Sequence, residues 1–170
     1  TLKAIGEQDN TVVFTALGDD EYGRDTNNNN GQNTAVHGSW LGLYFSSDAT
    51  NLSELNYIVL RYGGNLLGNS FGAGIKADQV SISLKNSIVE KNANNGLWLI
   101  NSPSIIDYSQ FTEQNSVGDK GIYMQGGNPQ IKNSYIFNNY YGLYVEKWLD
   151  LDNAEFWINF LLSNNNVVGN

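Results

Sequence analysis

Few residues in this chain are equipped for chemistry. There is no cysteine and a single histidine, His37, so a zinc site and a Ser/His triad both lack their parts. Arg24 and Arg61 are the only arginines, and Arg61, in Leu60-Arg61-Tyr62-Gly63-Gly64, follows a strand-like run with no acidic cluster beside it in the sequence. The one sensible acid–base pair is Lys76 with Asp78, two positions apart and therefore on one face of a strand. A second group is Asp19, Asp20, Asp25, Asn27 and Asn29, in an Asp/Asn-rich segment that runs to Gly31. Hard oxygen ligands at alternating positions suit Ca²⁺. Asp25, Asn27 and Asn29 share the spacing of the first ligands of an EF-hand loop, but the glycine falls one place late and Val36 stands where a bidentate Glu is needed. The segment also reads as a solvated loop held by Asx turns. A third group is aromatic: Tyr44, Trp98, Tyr123 and Tyr144.

These groups sit on a repeat. Five segments share a glycine followed by an apolar–x–apolar triplet: Gly42-Leu43-Tyr44-Phe45, Gly74-Ile75-Lys76-Ala77, Gly96-Leu97-Trp98-Leu99, Gly121-Ile122-Tyr123-Met124 and Gly142-Leu143-Tyr144-Val145, 21 to 32 residues apart. Between them lie β-branched runs that end in Asn92, Asn115 and Asn139, with Ile88, Phe111 or Ile136 as the core-type residue of each; Leu151–Phe156 looks like another such run. One rung reads as glycine, strand, polar turn, strand, short turn, strand, then Asn and Gly again. Strand alternation buries one face. No rung can bury that face alone, so rungs must stack. The first and third triplet residues, Leu43 and Phe45 through Leu143 and Val145, are expected inside. The middle residues, Tyr44, Lys76, Trp98, Tyr123 and Tyr144, form an outward stripe at the ~4.8 Å spacing of neighbouring strands. Ser46, Asp78, Ile100, Gln125 and Glu146 form the next outward row. The repeat glycines are expected in turns that a Cβ would crowd, and the run-ending asparagines in turns that use αL geometry, or stacked as ladders.

Composition agrees with this reading. Of 170 residues only 15% are charged and 12% are aromatic, with 18 Gly and 2 Pro, which suits many short strands and suits long helices poorly. The fold class expected is all-β, a right-handed single-stranded parallel β-helix of about seven rungs, with residues 18–39 as a long loop inserted in an early rung. The net charge of −8 and the lack of any basic run exclude nucleic acid as a partner. No apolar run approaches the ~18 residues of a membrane span, so membrane insertion is not expected. The chain opens Thr1-Leu2-Lys3 and stops within a rung, which points to a piece of a longer protein.

The repeat resembles the right-handed parallel β-helix proteins, the superfamily of pectate lyases and of many bacterial and archaeal surface proteins. Asn133-Ser134-Tyr135-Ile136-Phe137-Asn138-Asn139-Tyr140-Tyr141-Gly142-Leu143-Tyr144-Val145 matches it closely. The segment Val13–Asp20 with Gly23, Asp25-Thr26-Asn27 and Gly38–Phe45 is similar to a rung of large secreted or surface-anchored members. The resemblance implies either a lyase, with Ca²⁺ and a Lys or Arg base, or a non-enzymatic surface module. Of the polygalacturonase motifs, Asn-Thr-Asp and Gly-His-Gly are absent from the sequence, and the only Asp-Asp, Asp19-Asp20, falls in the long loop. The expectation is therefore a non-enzymatic extracellular or cell-surface module: structural, adhesin-like or filament-forming. Its partner would be an extracellular glycan or another protein chain, including a stacked copy of itself, met by Tyr44, Trp98, Tyr123 and Tyr144. The alternative is polysaccharide binding or lyase-type degradation through Lys76 and Asp78. No cofactor is required, and Ca²⁺ is the one candidate, at Asp19, Asp20, Asp25, Asn27 and Asn29.

Overall fold

Alternating apolar positions in strands of three to six residues can only be buried by laying one strand on the next, and the chain does this in parallel throughout. The computed structural model describes residues 1–49, 52–65, 72–114, 116–146, 161–163 and 166–169. The first sheet stacks β1 (Lys3–Ile5), β4 (Ser53–Asn56), β7 (Ile82–Lys85), β10 (Ile105–Asp107), β13 (Gln130–Lys132) and β16 (Leu161–Ser163). The second stacks β2 (Val12–Phe14), β5 (Ile58–Arg61), β8 (Ile88–Glu90), β11 (Gln110–Thr112), β14 (Tyr135–Phe137) and β17 (Asn166–Val168). The third stacks β3 (Leu43–Phe45), β6 (Ile75–Asp78), β9 (Asn95–Ile100), β12 (Lys120–Gln125) and β15 (Tyr141–Glu146). Every pairing is parallel and joins a strand to its counterpart three strands later, which is a β-helix. The described residues make five complete coils and the first two strands of a sixth, not about seven. Residues 15–42 are one long connection inside the first coil and add no coil of their own. The Leu151–Phe156 run lies outside the described residues. Among the described residues no helix is long and apolar enough to cross a membrane.

The core is a set of columns, one inward side chain per strand. Leu55, Leu84, Ile106 and Ile131 line the first sheet, Leu60, Val89, Phe111 and Ile136 the second, and Ile75, Leu97 and Ile122 with Ala77, Leu99 and Met124 the third; all are buried. Burial of each large one is worth roughly 1.5–3 kcal/mol. Two residues depart from the expected pattern. Val145 is 38% exposed because β15 ends the third sheet among the described residues. Ile88 points outward and Val89 inward, a one-residue slip that exchanges faces.

The corners are fastened by buried side chains. Between the first and second sheets one residue turns in the left-handed region: Tyr57, Asn86, Tyr108 and Asn133, with φ of 50°, 49°, 47° and 49°. A serine follows in three of these coils. Ile58 N–H donates to Ser87 Oγ at 3.2 Å, Ser87 N–H to Ser109 Oγ at 3.4 Å, and Ser109 N–H to Ser134 Oγ at 3.2 Å. Each hydroxyl in turn donates to the carbonyl two residues back, on Lys85, Asp107 or Lys132. Between the second and third sheets amides do the same work. Gly63 N–H donates to Asn92 Oδ1 at 2.8 Å, Gln114 N–H to Asn139 Oδ1 at 3.2 Å, and Gln114 Nε2 to Val89 O at 3.1 Å. Asn92 and Asn139 are thus ladder members rather than αL residues; the left-handed turns fall on their predecessors Lys91 and Asn138. Asn115 lies outside the described residues, and Gln114 takes the rung between the two asparagines.

The ladder explains the repeat glycines. Gly42 has a left-handed φ of 101°, but Gly74, Gly96 and Gly121 do not. They are glycine because the ladder amides lie over them. A Cβ on Gly121 would stand 2.8 Å from each of Asn139 Nδ2, Gly142 O and Ile136 Cγ2. By contrast, a Cβ on Gly118 meets nothing within 4 Å and carries only the strain of its φ of 91°. Urea denaturation should therefore place Gly121→Ala about 2–3 kcal/mol below wild type and Gly118→Ala about 1 kcal/mol below it. Equal costs would remove the ladder as the cause of the glycine.

Candidate functional site

The third sheet carries the outward stripe. Strand register aligns Tyr44 with Lys76, Lys76 with Trp98, Trp98 with Tyr123, and Tyr123 with Tyr144. The side chains close on one another. Lys76 Nζ lies 5.2 Å from the Tyr44 ring centre and 4.2 Å from that of Trp98. Trp98 and Tyr123 stack at 5.4 Å, and Tyr123 meets Tyr144 edge-on at 5.5 Å. Lys76 is 7% exposed, and desolvation lowers its pKa while Asp78 raises it. The neighbouring row ties down the ring edges. Trp98 Nε1 donates to Gln125 Oε1 at 2.7 Å, Gln125 Nε2 donates to Glu146 Oε2 at 2.8 Å, and Tyr123 Oη donates to the same Glu146 oxygen. Tyr44 Oη donates to Asp78 Oδ2 at 3.3 Å. Lys120 joins the stripe, with its ammonium 5.3 Å from the Tyr123 ring centre and 5.4 Å from that of Tyr144. Strict alternation from Ile122 assigns Lys120 inward, so the sequence pattern passes over it.

A second cluster lies on the second sheet and overturns the expectation for Arg61. Arg61 is the last residue of β5, 1% exposed, and three carboxylates gather on it. Asp19 Oδ2 lies 3.5 Å from Nε, Glu90 Oε1 lies 3.3 Å from Nε, and Glu21 Oε2 lies 2.7 Å from Nη2. Tyr62 Oη accepts from Nη2 at 3.0 Å, and the Tyr22 ring centre is 5.2 Å from Cζ. Burial works against the guanidinium charge, but Glu21, Tyr62, Glu90 and Asp19 outweigh it and hold the pKa above the ordinary arginine value. The hydrogen bond from Arg61 lowers the pKa of Glu21, while burial raises that of Glu90. No sequence signal gives this cluster. Asp19 and Glu21 come from the long connection, Glu90 from the next coil, and only the fold joins them. Trp40 Nε1 caps the cluster by donating to Arg61 O at 2.8 Å.

The residues considered for Ca²⁺ fall into two groups, Asp19 on Arg61 and Asp25, Asn27 and Asn29 in the loop. Asp19 is buried against Arg61 and accepts from Thr15 Oγ1 at 2.5 Å. Asp25 Oδ1 accepts from Asn29 N–H at 2.8 Å and Oδ2 from Gly31 N–H at 3.2 Å, Asn27 Oδ1 accepts from Asn29 N–H at 3.2 Å, and Asn29 brackets Gln32. Asp20 has both carboxylate oxygens buried without a protein hydrogen bond. Among the described residues no three His, Cys, Asp or Glu side chains gather as a metal-holding group. Most of these donors hold the connection to itself and to Arg61.

Arg61 therefore acts as the peg on which the long connection hangs. Arg61→Met leaves Asp19 buried and uncompensated and should cost about 3–5 kcal/mol. It should also speed trypsin cleavage after the exposed Arg24. Unchanged melting and unchanged cleavage would both contradict the peg.

Against known proteins, residues 71–170 match the family model described as right handed beta helix region. No curated protein and no solved structure matches the chain. The family match covers more than half of the chain and contains four of the five glycine–triplet segments. The chain belongs to the right-handed β-helix family.

Proposed function

We propose that this β-helix is a non-enzymatic module of an extracellular or cell-surface protein, acting as a rigid structural element in an adhesin-like or filamentous assembly. The observation that carries the reading is the state of its two candidate bases. Arg61 is 1% exposed among three carboxylates, and Lys76 is sandwiched between the rings of Tyr44 and Trp98. A general base must reach the proton it removes, and neither cation faces open solvent. The stripe is likewise closed to a stacked sugar at its centre. One face of Trp98 meets the Lys76 ammonium and the other meets Tyr123, so its role is to bind coil to coil.

The lack of cysteine does not argue against an exported setting, because a stack of coils buries its core without disulfides. Another protein chain remains the partner that suits the exposed ring edges of Tyr44 and Tyr144, as aromatic residues with polar tips are favoured at interfaces.

Trp98→Ala should lower stability by roughly 2 kcal/mol, the combined loss of one aromatic pair and one desolvated cation–π contact. Polygalacturonate incubated with the wild-type protein and Ca²⁺ should show no gain in the ultraviolet absorbance of unsaturated uronates. Turnover that disappears in Lys76→Ala would refute the non-enzymatic reading.

A further inference from the structure

The corner between the first and second sheets presents a different aromatic row. Tyr57, Asn86, Tyr108 and Asn133 occupy the same position in four successive coils. Tyr57 N–H donates to Lys85 O, Asn86 N–H to Asp107 O, and Tyr108 N–H to Lys132 O, which locks them in line along the axis. Tyrosines therefore alternate with asparagines. Tyr57 and Tyr108 are two coils apart, about 9.6 Å.

Three observations set this row apart from the stripe on the third sheet. The first is backbone strain. All four residues have a left-handed φ, which suits Asn and disfavours a bulky residue such as Tyr. Two coils use Asn at this position and two hold Tyr there at a cost, with Tyr108 exposed and Tyr57 half-buried. The second is orientation. Asn86 Nδ2 donates to Asn56 Oδ1 at 2.9 Å, and Asn133 Nδ2 donates to Asp107 Oδ1 at 2.8 Å, so both amides are fixed in place. The third is space. A groove of about 390 Å³ runs along the row, lined also by Val59, Ile88, Gln8 of the tight turn that Glu7 and Asn10 close, and Thr11 just after that turn. That volume falls within the range of about 300–1,000 Å³ typical of ligand sites. Tyr108 is 63% exposed, and Gln110 and Tyr135 continue the surface beyond it.

We propose that this groove binds an extended, uncharged, β-linked polysaccharide lying along the coil axis. Tyrosine rings offer apolar faces to the C–H faces of alternate sugars, and the amides of Asn86, Gln8 and Gln110 meet hydroxyls between them. A straight row with a two-coil repeat selects a ribbon-like chain, whose alternate sugars recur at a comparable distance, over a coiled one. The rim alternates Lys85, Asp107 and Lys132, so it presents no field of one sign and reads hydroxyls rather than charge. Binding here is passive and independent of the absence of catalysis.

Calorimetric titration of the full chain with cellohexaose tests it, with maltohexaose and polygalacturonate as the coiled and the acidic comparisons. Cellohexaose should bind best. Tyr108→Asn installs the residue that the neighbouring coils already carry and relieves the left-handed strain, so the melting temperature should hold or rise. Affinity for cellohexaose should nevertheless fall at least about tenfold, the loss of one well-stacked ring. Trp98→Ala, on the other face, should bind as wild type does at a temperature where it is folded. No binding of cellohexaose, equal binding of the coiled sugar, or full affinity in Tyr108→Asn would each overturn the proposal.

Discussion

Side chains that hydrogen-bond the backbone of the adjacent coil are the constraint on which this β-helix rests. A strand inside a parallel stack has its N–H and C=O groups paired above and below, but a corner interrupts that ladder where it is still buried. Buried backbone groups left unpaired cost as much as the core gains from a side chain. Ser87, Ser109 and Ser134 close one corner, and Asn92, Gln114 and Asn139 close another. Their geometry then dictates what else fits. The amides need room, so Gly74, Gly96 and Gly121 precede their triplets. The serines fix where the second sheet begins, and so decide that Val89 and not Ile88 enters the core.

With the coil settled from within, its outer faces are free to differ. On the third sheet the rings, Lys76 and Lys120 close upon each other and upon Gln125 and Glu146, and the product is cohesion. At the first corner the rings of Tyr57 and Tyr108 are separated by asparagine, and the product is an open, periodic surface. The second sheet carries neither stripe; there Arg61 gathers Asp19, Glu21 and Glu90 and moors the long connection. The same 4.8 Å spacing thus gives stacking, spacing or anchoring, according to which residue types recur.

The sequence reveals its local periodicities and hides its long-range encounters. Glycine with an apolar–x–apolar triplet shows up because both features recur within one coil, and it leads correctly to Ile75, Leu97, Ile122 and Met124 as core and to Tyr44, Lys76, Trp98, Tyr123 and Tyr144 as one aligned row. The serine corner was equally visible, as Asn86-Ser87, Tyr108-Ser109 and Asn133-Ser134, and reading it would have placed Val89. The carboxylates on Arg61 were not visible, because Asp19 and Glu21 come from the long connection and Glu90 from the next coil. Nor could spacing distinguish rings that present their faces from rings that cover one another, since that depends on the rotamers of neighbours one coil away.

If buried corner side chains hold the coil together, corner amides should be as protected as strand amides. Amide hydrogen exchange reads this directly at Ile58, Ser87, Ser109 and Gln114. The account predicts that they exchange at the slow rate of the amides of β9 and β12, and that Ser109→Ala opens Ser87 while leaving β12 protected. Fast exchange at these four positions, at the rate of an exposed loop, would contradict it.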